Sequence, residues 1–335
     1  MSAYLGALGT KGVDYVNIGL VFVAWGFALL APTPLFLFAY AVLGPLHYLT
    51  EISWLHDRKY FISGSRSVVG FVAASILVTA LVLWGKIFPS LLPVLVYLLF
   101  GAALILVVAK GHRRRSLSFG LLLVTAAVFA VLQPPLYAVL FLLLVPTVLH
   151  VFFFTGVFML SGSLKSGSIP GLIGFFAFLF AAGSFFVIPP AQESLLPGSY
   201  VFESYRPFMH VNASLVDILS PAIAVYSSVE EAAASGLGRS VMHFLAFVYT
   251  YHYLNWFSKV RVIGWNGISS SRRALIAGGW LLSLAIYAYD YRIGIWALLS
   301  LSFLHVLLEF PLNHRSFADI GGRLMSVFRP RLTRT

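Results

Sequence analysis

Two stretches far apart in the chain share one spacing. HYLTEISWLH, from His47 to His56, and HVLLEFPLNH, from His305 to His314, both read His-x3-Glu-x4-His. Imidazole nitrogens and carboxylate oxygens are ligands for zinc, iron and manganese. On a helix, residues i and i+4 share a face with their Cβ atoms roughly 5–6 Å apart, so each His–Glu pair aims at one spot. Of the 11 acidic residues, Glu51 and Glu309 are the ones set well inside apolar runs. An ionisable group there costs a few kcal/mol on insertion scales and calls for a partner, a cavity or a cation.

The elements that carry these residues are set by composition. With 60% apolar and 10% charged residues and a mean hydropathy of +0.92, the chain is far from a water-soluble domain, in which roughly 25% of residues are charged. The pattern predicts an all-α, polytopic transmembrane bundle forming a single domain over residues 1–335. Ten spans are expected, at about 15–33, 34–55, 66–85, 88–109, 116–133, 135–160, 170–189, 239–258, 273–290 and 292–312. Pro32 and Pro34 mark either a tight hairpin or one broken helix between the first two. No cleavable signal peptide is read at the start. With the N-terminus and C-terminus cytoplasmic, all of the 22 Lys and Arg except Lys86, Arg206, Arg239 and Arg292 fall on the inner side, as the positive-inside rule requires. The net charge of +11 is therefore read as topology and contact with anionic membrane lipids, and no nucleic-acid partner is expected. A bacterial inner membrane is the expected location. Residues 190–238 form an outer loop with room for an interfacial helix, and 313–335 a basic cytoplasmic tail. Asn212-Ala-Ser214 is a formal glycosylation sequon.

This topology also assigns depth. His47, Glu51, His150, His252, His305 and Glu309 all fall in the inner halves of four spans, with His56 and His314 just below. These eight are the candidate metal ligands. Nine helical residues turn through about 900°, so a regular helix points His56 away from His47 and about 13 Å along the axis. Direct ligation by His56 or His314 therefore needs an unwound helix end, which Pro311 could provide in the second copy. Asn255 and Trp256, beside His252, are candidates to line the same pocket. His243 reads as a hydrogen-bonded packing residue, and His112 and His210 as solvated. There is no cysteine, which removes disulfides, thiolate sites and cysteine nucleophiles.

Several neutral imidazoles with two carboxylates suit iron, as one or two ions, with zinc or manganese possible. Four-helix bundles hold di-iron centres with inward Glu and His side chains, although the Glu-x-x-His spacing is absent here. Such a centre in lipid predicts a non-haem iron oxygenase using dioxygen on a lipophilic small molecule. LGPLHYLTE and FVYTYHYLNWFSK resemble the histidine motifs of bacterial Brp/Blh-type carotene-cleaving oxygenases, with Glu51 where that family has Asp and Tyr48 where it has Gly. The resemblance implies a multi-span protein, a carotenoid substrate and iron-ligand roles for His47, His252, His150 and His305. A metal-ion or proton transporter and a haem b protein are the alternatives.

Overall fold

The computed structural model describes residues 10–58, 65–83, 91–132, 134–188, 198–220, 226–259 and 268–328. Lys86, Arg261 and residues 329–335 lie outside them. Among the described residues there are helices and no strand. Helix α1 is Thr10–Leu30. Helices α2, Pro32–Phe38, and α3, Gly44–Arg58, are joined into one rod by a π-helical turn at Ala39–Leu43. Next come α4, Ser65–Leu83, α5, Leu92–Val108, and α6, His112–Leu132. Helix α7, Pro135–Ala138, continues through a long π-helical stretch, Val139–Phe154, into α8, Thr155–Ser166. Then follow α9, Ile169–Val187, and the short helices α10, Ser199–Tyr205, α11, Met209–Leu219, and α12, Val229–Ala234. The long helices α13, Gly236–Ser258, α14, Ser270–Tyr289, and α15, Tyr291–Phe328, complete the bundle.

Among the described residues, six helices are long and apolar enough to cross a membrane: Gly12–Leu30, Pro32–Asp57, His112–Leu132, Leu136–Ser166, Ile169–Val187 and Tyr291–Arg323. Val69–Leu81 and Leu92–Val108 are shorter apolar helices. Helix α13 is absent from the six although it is the most enclosed element. Its tyrosines, histidines and serines lower its hydropathy because it faces protein on nearly every side.

The Pro32/Pro34 junction is a hairpin. Ala31 alone leaves helical geometry, at φ −150° and ψ 66°, and Pro32 starts the next helix where its missing N–H is harmless. Low on α13, Ser258 donates to Asn17 of α1 (2.9 Å), and Trp256 donates to Thr50 of α3 (2.9 Å). Higher up, Phe36 of α2 packs edge-on against Tyr249. Helix α1 therefore rises past α13, and the α2–α3 rod descends alongside. Side chains brace the rod where its helix is irregular: Tyr291 donates to the carbonyl of Leu37 (3.0 Å) and Trp280 to that of Val42 (2.8 Å).

The described residues of the 190–238 segment include the helices α10, α11 and α12. Asn212 is buried there, its amide donating to Gly238 O (3.1 Å), which removes the sequon as a surface acceptor. A side chain at Gly238 would meet the carbonyl oxygens of Ala232 at 2.2 Å and Ala233 at 2.4 Å, so the α12–α13 junction requires glycine. At the other end, α15 runs unbroken through Pro311. Its 38 residues reach about 57 Å against a hydrocarbon core of ~30 Å, so the expected tail begins as a continuing helix.

Buried apolar side chains form two clusters. One is centred on α1, α2, α9 and α13, the other on α4, α5 and α15. Helix α3 gives Tyr48 to the first and Leu55 to the second. The π-helical stretch gives Val148 and Val151 to the first and Phe141 and Val145 to the second. The polar residues singled out by spacing sit at this seam.

Candidate metal centre

His47 and Glu51 come from α3, His252 from α13, and His305 and Glu309 from α15. His150 comes from the π-helical stretch, which also contains Pro146. An α-helix there would lose the Pro146 hydrogen bond and press the ring on the carbonyl four residues back. The wider i→i+5 turn relieves the ring clash, though not the missing donor, and such turns concentrate at functional sites.

These side chains converge. His47 Nε2 lies 3.0 Å from His252 Nε2 and 3.0 Å from Glu51 Oε2. His150 Nε2 lies 3.1 Å from His305 Nε2, and His150 Nδ1 is 2.9 Å from Glu309 Oε2. The carboxyl groups of Glu51 and Glu309 face each other closely enough to interact directly. Ligand atoms of His47, His150 and His252 lie within 4.8 Å of one another, and so do those of His47, Glu51 and His305. None of the six residues is more than 7% exposed, so bulk water contributes little to balancing their charge.

Hydrogen bonds do not balance it either. Both oxygens of Glu51, Oε2 of Glu309 and Nδ1 of His47 and His150 are buried without a hydrogen-bond partner. The two His–Glu contacts are close in distance but out of line for an N–H to donate. Among the described residues no Lys or Arg forms an ion pair with either glutamate. A buried, unpaired carboxylate costs several kcal/mol, and two side by side repel. A cation removes both costs, as does a proton shared between the two carboxyls. Metal–nitrogen bonds of about 2.0–2.1 Å at right angles put adjacent donors about 3.0 Å apart, close to the three contacts of 3.0–3.1 Å made by the Nε2 atoms, while the His150 Nδ1–Glu309 contact lies on the other edge of that ring. The donors are all nitrogen or oxygen, a set that iron, zinc and manganese accept.

A second layer holds these side chains. Thr155 Oγ1 and His252 Nδ1 are 2.7 Å apart; with Nδ1–H donating to the hydroxyl oxygen, Nε2 keeps its lone pair for the centre. Tyr48 stacks on His305 with ring centroids 4.2 Å apart, and its hydroxyl meets that of Tyr253 at 3.0 Å. Trp256 stands edge-on to His47 at 5.3 Å, and its donation to Thr50, which in turn donates to the His47 carbonyl (2.9 Å), ties α13 to α3. Asn313, one turn beyond Glu309, is fully buried with neither amide atom hydrogen-bonded.

The structure thus brings together six of the eight ligands expected from sequence. His56 is exposed and pairs with Asp57 (3.1 Å). His314 is buried elsewhere, against the Phe100 ring and 3.0 Å from its carbonyl. Both lie where the nine-residue rotation sends them, and α15 does not unwind to bring His314 back. His243 pairs with the Arg239 carbonyl (2.8 Å); His112 and His210 are exposed. Trp256 borders the site, whereas Asn255 turns into a separate cavity. Thr155, Tyr48 and Asn313 carried no sequence signal, since a lone polar residue in an apolar run is common. Comparison of the chain with protein-family models, curated proteins and solved structures finds no match.

Proposed function

We propose that the chain is a non-haem iron oxygenase of ten spans with both termini cytoplasmic, in a bacterial inner membrane, holding one or two ions and oxidising a lipophilic substrate with dioxygen. The observation that carries this reading is the set of buried carboxylate oxygens without hydrogen bonds among four converging imidazoles. His47, His150, His252 and His305 would hold the metal by nitrogen, with Glu51 and Glu309 completing the set and offsetting its charge. The iron, when bound, supplies the binding and activation of dioxygen. The chain's own part is to present lone pairs in fixed directions, through Thr155 on His252 and Tyr48 on His305, and to exclude water with the two apolar clusters. The short resemblance of LGPLHYLTE to carotene-cleaving oxygenases favours a carotenoid among lipophilic substrates.

Four more spans beyond those six would come from α4, α5, α13 and α14. Two polar belts support this topology. Asp57 pairs with Arg272 (2.5 Å) at one end, while Glu203 pairs with Arg206 (3.8 Å) and Arg292 at the other. A transport path needs polar groups through the full depth, whereas the acids here are enclosed at one level. The haem reading meets imidazole nitrogens 3.0–3.1 Å apart, too close to admit a porphyrin between them.

Metal analysis with an optical spectrum of the purified protein tests the reading. One to two irons per chain without a Soret band is the expected result; haem, or a protein that takes up no metal, overturns it. Glu51→Gln and Glu309→Gln should lower iron content together, and full loading in both variants would take the carboxylates out of the centre.

A further inference from the structure

A second polar feature lies apart from the histidines. Where α1 and α9 begin and α8 and α13 end is a half-open cavity of about 230 Å³. Its polar lining includes Asp14, Asn17, Asn255 and Lys259, and its apolar wall includes Phe158 and Met159. Asn255 is one turn along α13 from His252. It is 7% exposed, and its Oδ1 has no hydrogen-bond partner. Asn17, by contrast, is satisfied: its amide donates to the Val13 carbonyl (2.9 Å) and its Oδ1 accepts from Ser258 (2.9 Å).

Two opposite charges share this cavity without touching. Ser168 Oγ donates to Asp14 Oδ2 (2.5 Å), and Ser168 caps α9 by accepting from the Gly171 N–H (3.2 Å). The Asp14 carboxylate is thus tied to the start of α9. Lys259 follows the last residue of α13 and forms no ion pair with Asp14 or with any other described carboxylate. Burial lowers the Lys259 ammonium to about 8 and Asp14 acts against that, so each charge feels the other across the space between them. A lone anion there would leave Asn255 Oδ1 unsatisfied and meet Asp14, while a lone cation would meet Lys259. A ligand that answers every group carries both signs, with an N–H donor on its positive end.

Size and place narrow the occupant. An apolar cavity of about 150 Å³ holds benzene, so 230 Å³ takes a polar head but not a whole two-chain lipid. The ends of membrane-spanning helices lie at headgroup depth, and the open side of the cavity leaves an exit for acyl chains. We propose that this cavity binds a zwitterion with a primary ammonium two carbons from a phosphodiester, the aminoethyl phosphate head of a membrane phospholipid. The ammonium donates to Asn255 Oδ1 and Asp14, the phosphate accepts from Lys259, and Phe158 and Met159 meet the first methylenes. The site stands independently of the metal centre.

Native mass spectrometry of the delipidated full chain in detergent at neutral pH would titrate phosphatidylethanolamine, phosphatidylcholine and phosphatidylglycerol with matched acyl chains. Phosphatidylcholine keeps the zwitterion but has no N–H to donate, and phosphatidylglycerol keeps the phosphodiester but has no cation. Phosphatidylethanolamine should bind about tenfold or more tighter than either, a difference of ~1.4 kcal/mol. Asn255→Leu should narrow that gap, whereas Lys259→Gln should weaken the ethanolamine and choline lipids alike. Gly162 gives a variant that keeps the fold intact. It lines the cavity within α8, and a side chain added there meets nothing within 4 Å, so Gly162→Leu should abolish the preference with the melting temperature unchanged. Equal binding of the ethanolamine and choline lipids, tighter binding of phosphatidylglycerol, or a full preference in Gly162→Leu overturns the proposal. Glycerophosphoethanolamine, the water-soluble head, separates the two sources of this chemistry. At equal concentration it should fail to displace the lipid, and binding as tight as the lipid's would overturn the membrane assignment in favour of a free solute. Because the titration uses protein stripped of metal as well as loaded protein, loss of the metal reading would leave its result standing.

Discussion

At the residue scale, the partner of each glutamate is the informative detail. Glu51 stays with His47 on its own helix, as the i, i+4 spacing implies, but Glu309 reaches His150 on another segment. Spacing within a helix is legible in a sequence, because the helical repeat fixes which side chains share a face; pairing between helices depends on packing that no local pattern records. The same repeat points His56 and His314, both counted among the eight candidates, away from the other six, and both lie elsewhere in the structure. Thr155 shows the opposite case, a hydroxyl that controls a ligand without any pattern to announce it. Removing that hydroxyl in Thr155→Val keeps the shape and leaves His252 Nδ1 without its partner. Outer-shell losses of this kind cost about 10–100-fold in metal affinity, and competition with a chelator would measure it. Affinity equal to the wild type would show that packing alone orients His252.

At the element scale, the irregular helices do the placing. Both the α2–α3 rod and the Pro135–Ser166 rod change to π geometry within a few residues of a ligand or across it. Hydropathy predicts the rods and not these changes, since a π turn leaves the apolar pattern almost untouched. Gly44, which starts α3 after the first π turn, is where the geometry is tightest. A side chain there would meet the Tyr48 hydroxyl at 2.9 Å and the Tyr253 hydroxyl at 3.3 Å. Gly44→Val should separate α3 from α13, costing about 1–3 kcal/mol as overpacking does, and lower iron content with it. Gly26→Ala in α1 adds a methyl where nothing lies within 4 Å and should leave the melting temperature unchanged or slightly higher. Equal thermal behaviour of the two variants would remove the close-approach argument.

At the scale of the whole molecule, the helical class and a membrane location follow from composition alone, while the number of spans depends on helices whose polarity hides them. Helix α13 carries His252 and is wrapped by protein, so its low hydropathy reflects its central place. The absence of cysteine makes the topology directly measurable. Ser199 and Ser271 are exposed at opposite ends of the bundle. In the ten-span arrangement, Ser199→Cys should react with a membrane-impermeant maleimide from the outside of intact cells, and Ser271→Cys only after the membrane is opened. Labelling of both cysteines in intact cells would require a different span count.

The six converging side chains also set an order of events in biogenesis. Four of them emerge on α3, the π-helical stretch and α13, but His305 and Glu309 arrive on α15, which follows all the others. Until that helix enters the bilayer the nascent chain carries an incomplete chelate open on one side. In the proposed centre, docking of α15 would both finish the coordination sphere and shut the wall behind it, placing ion capture at the closing moment of assembly.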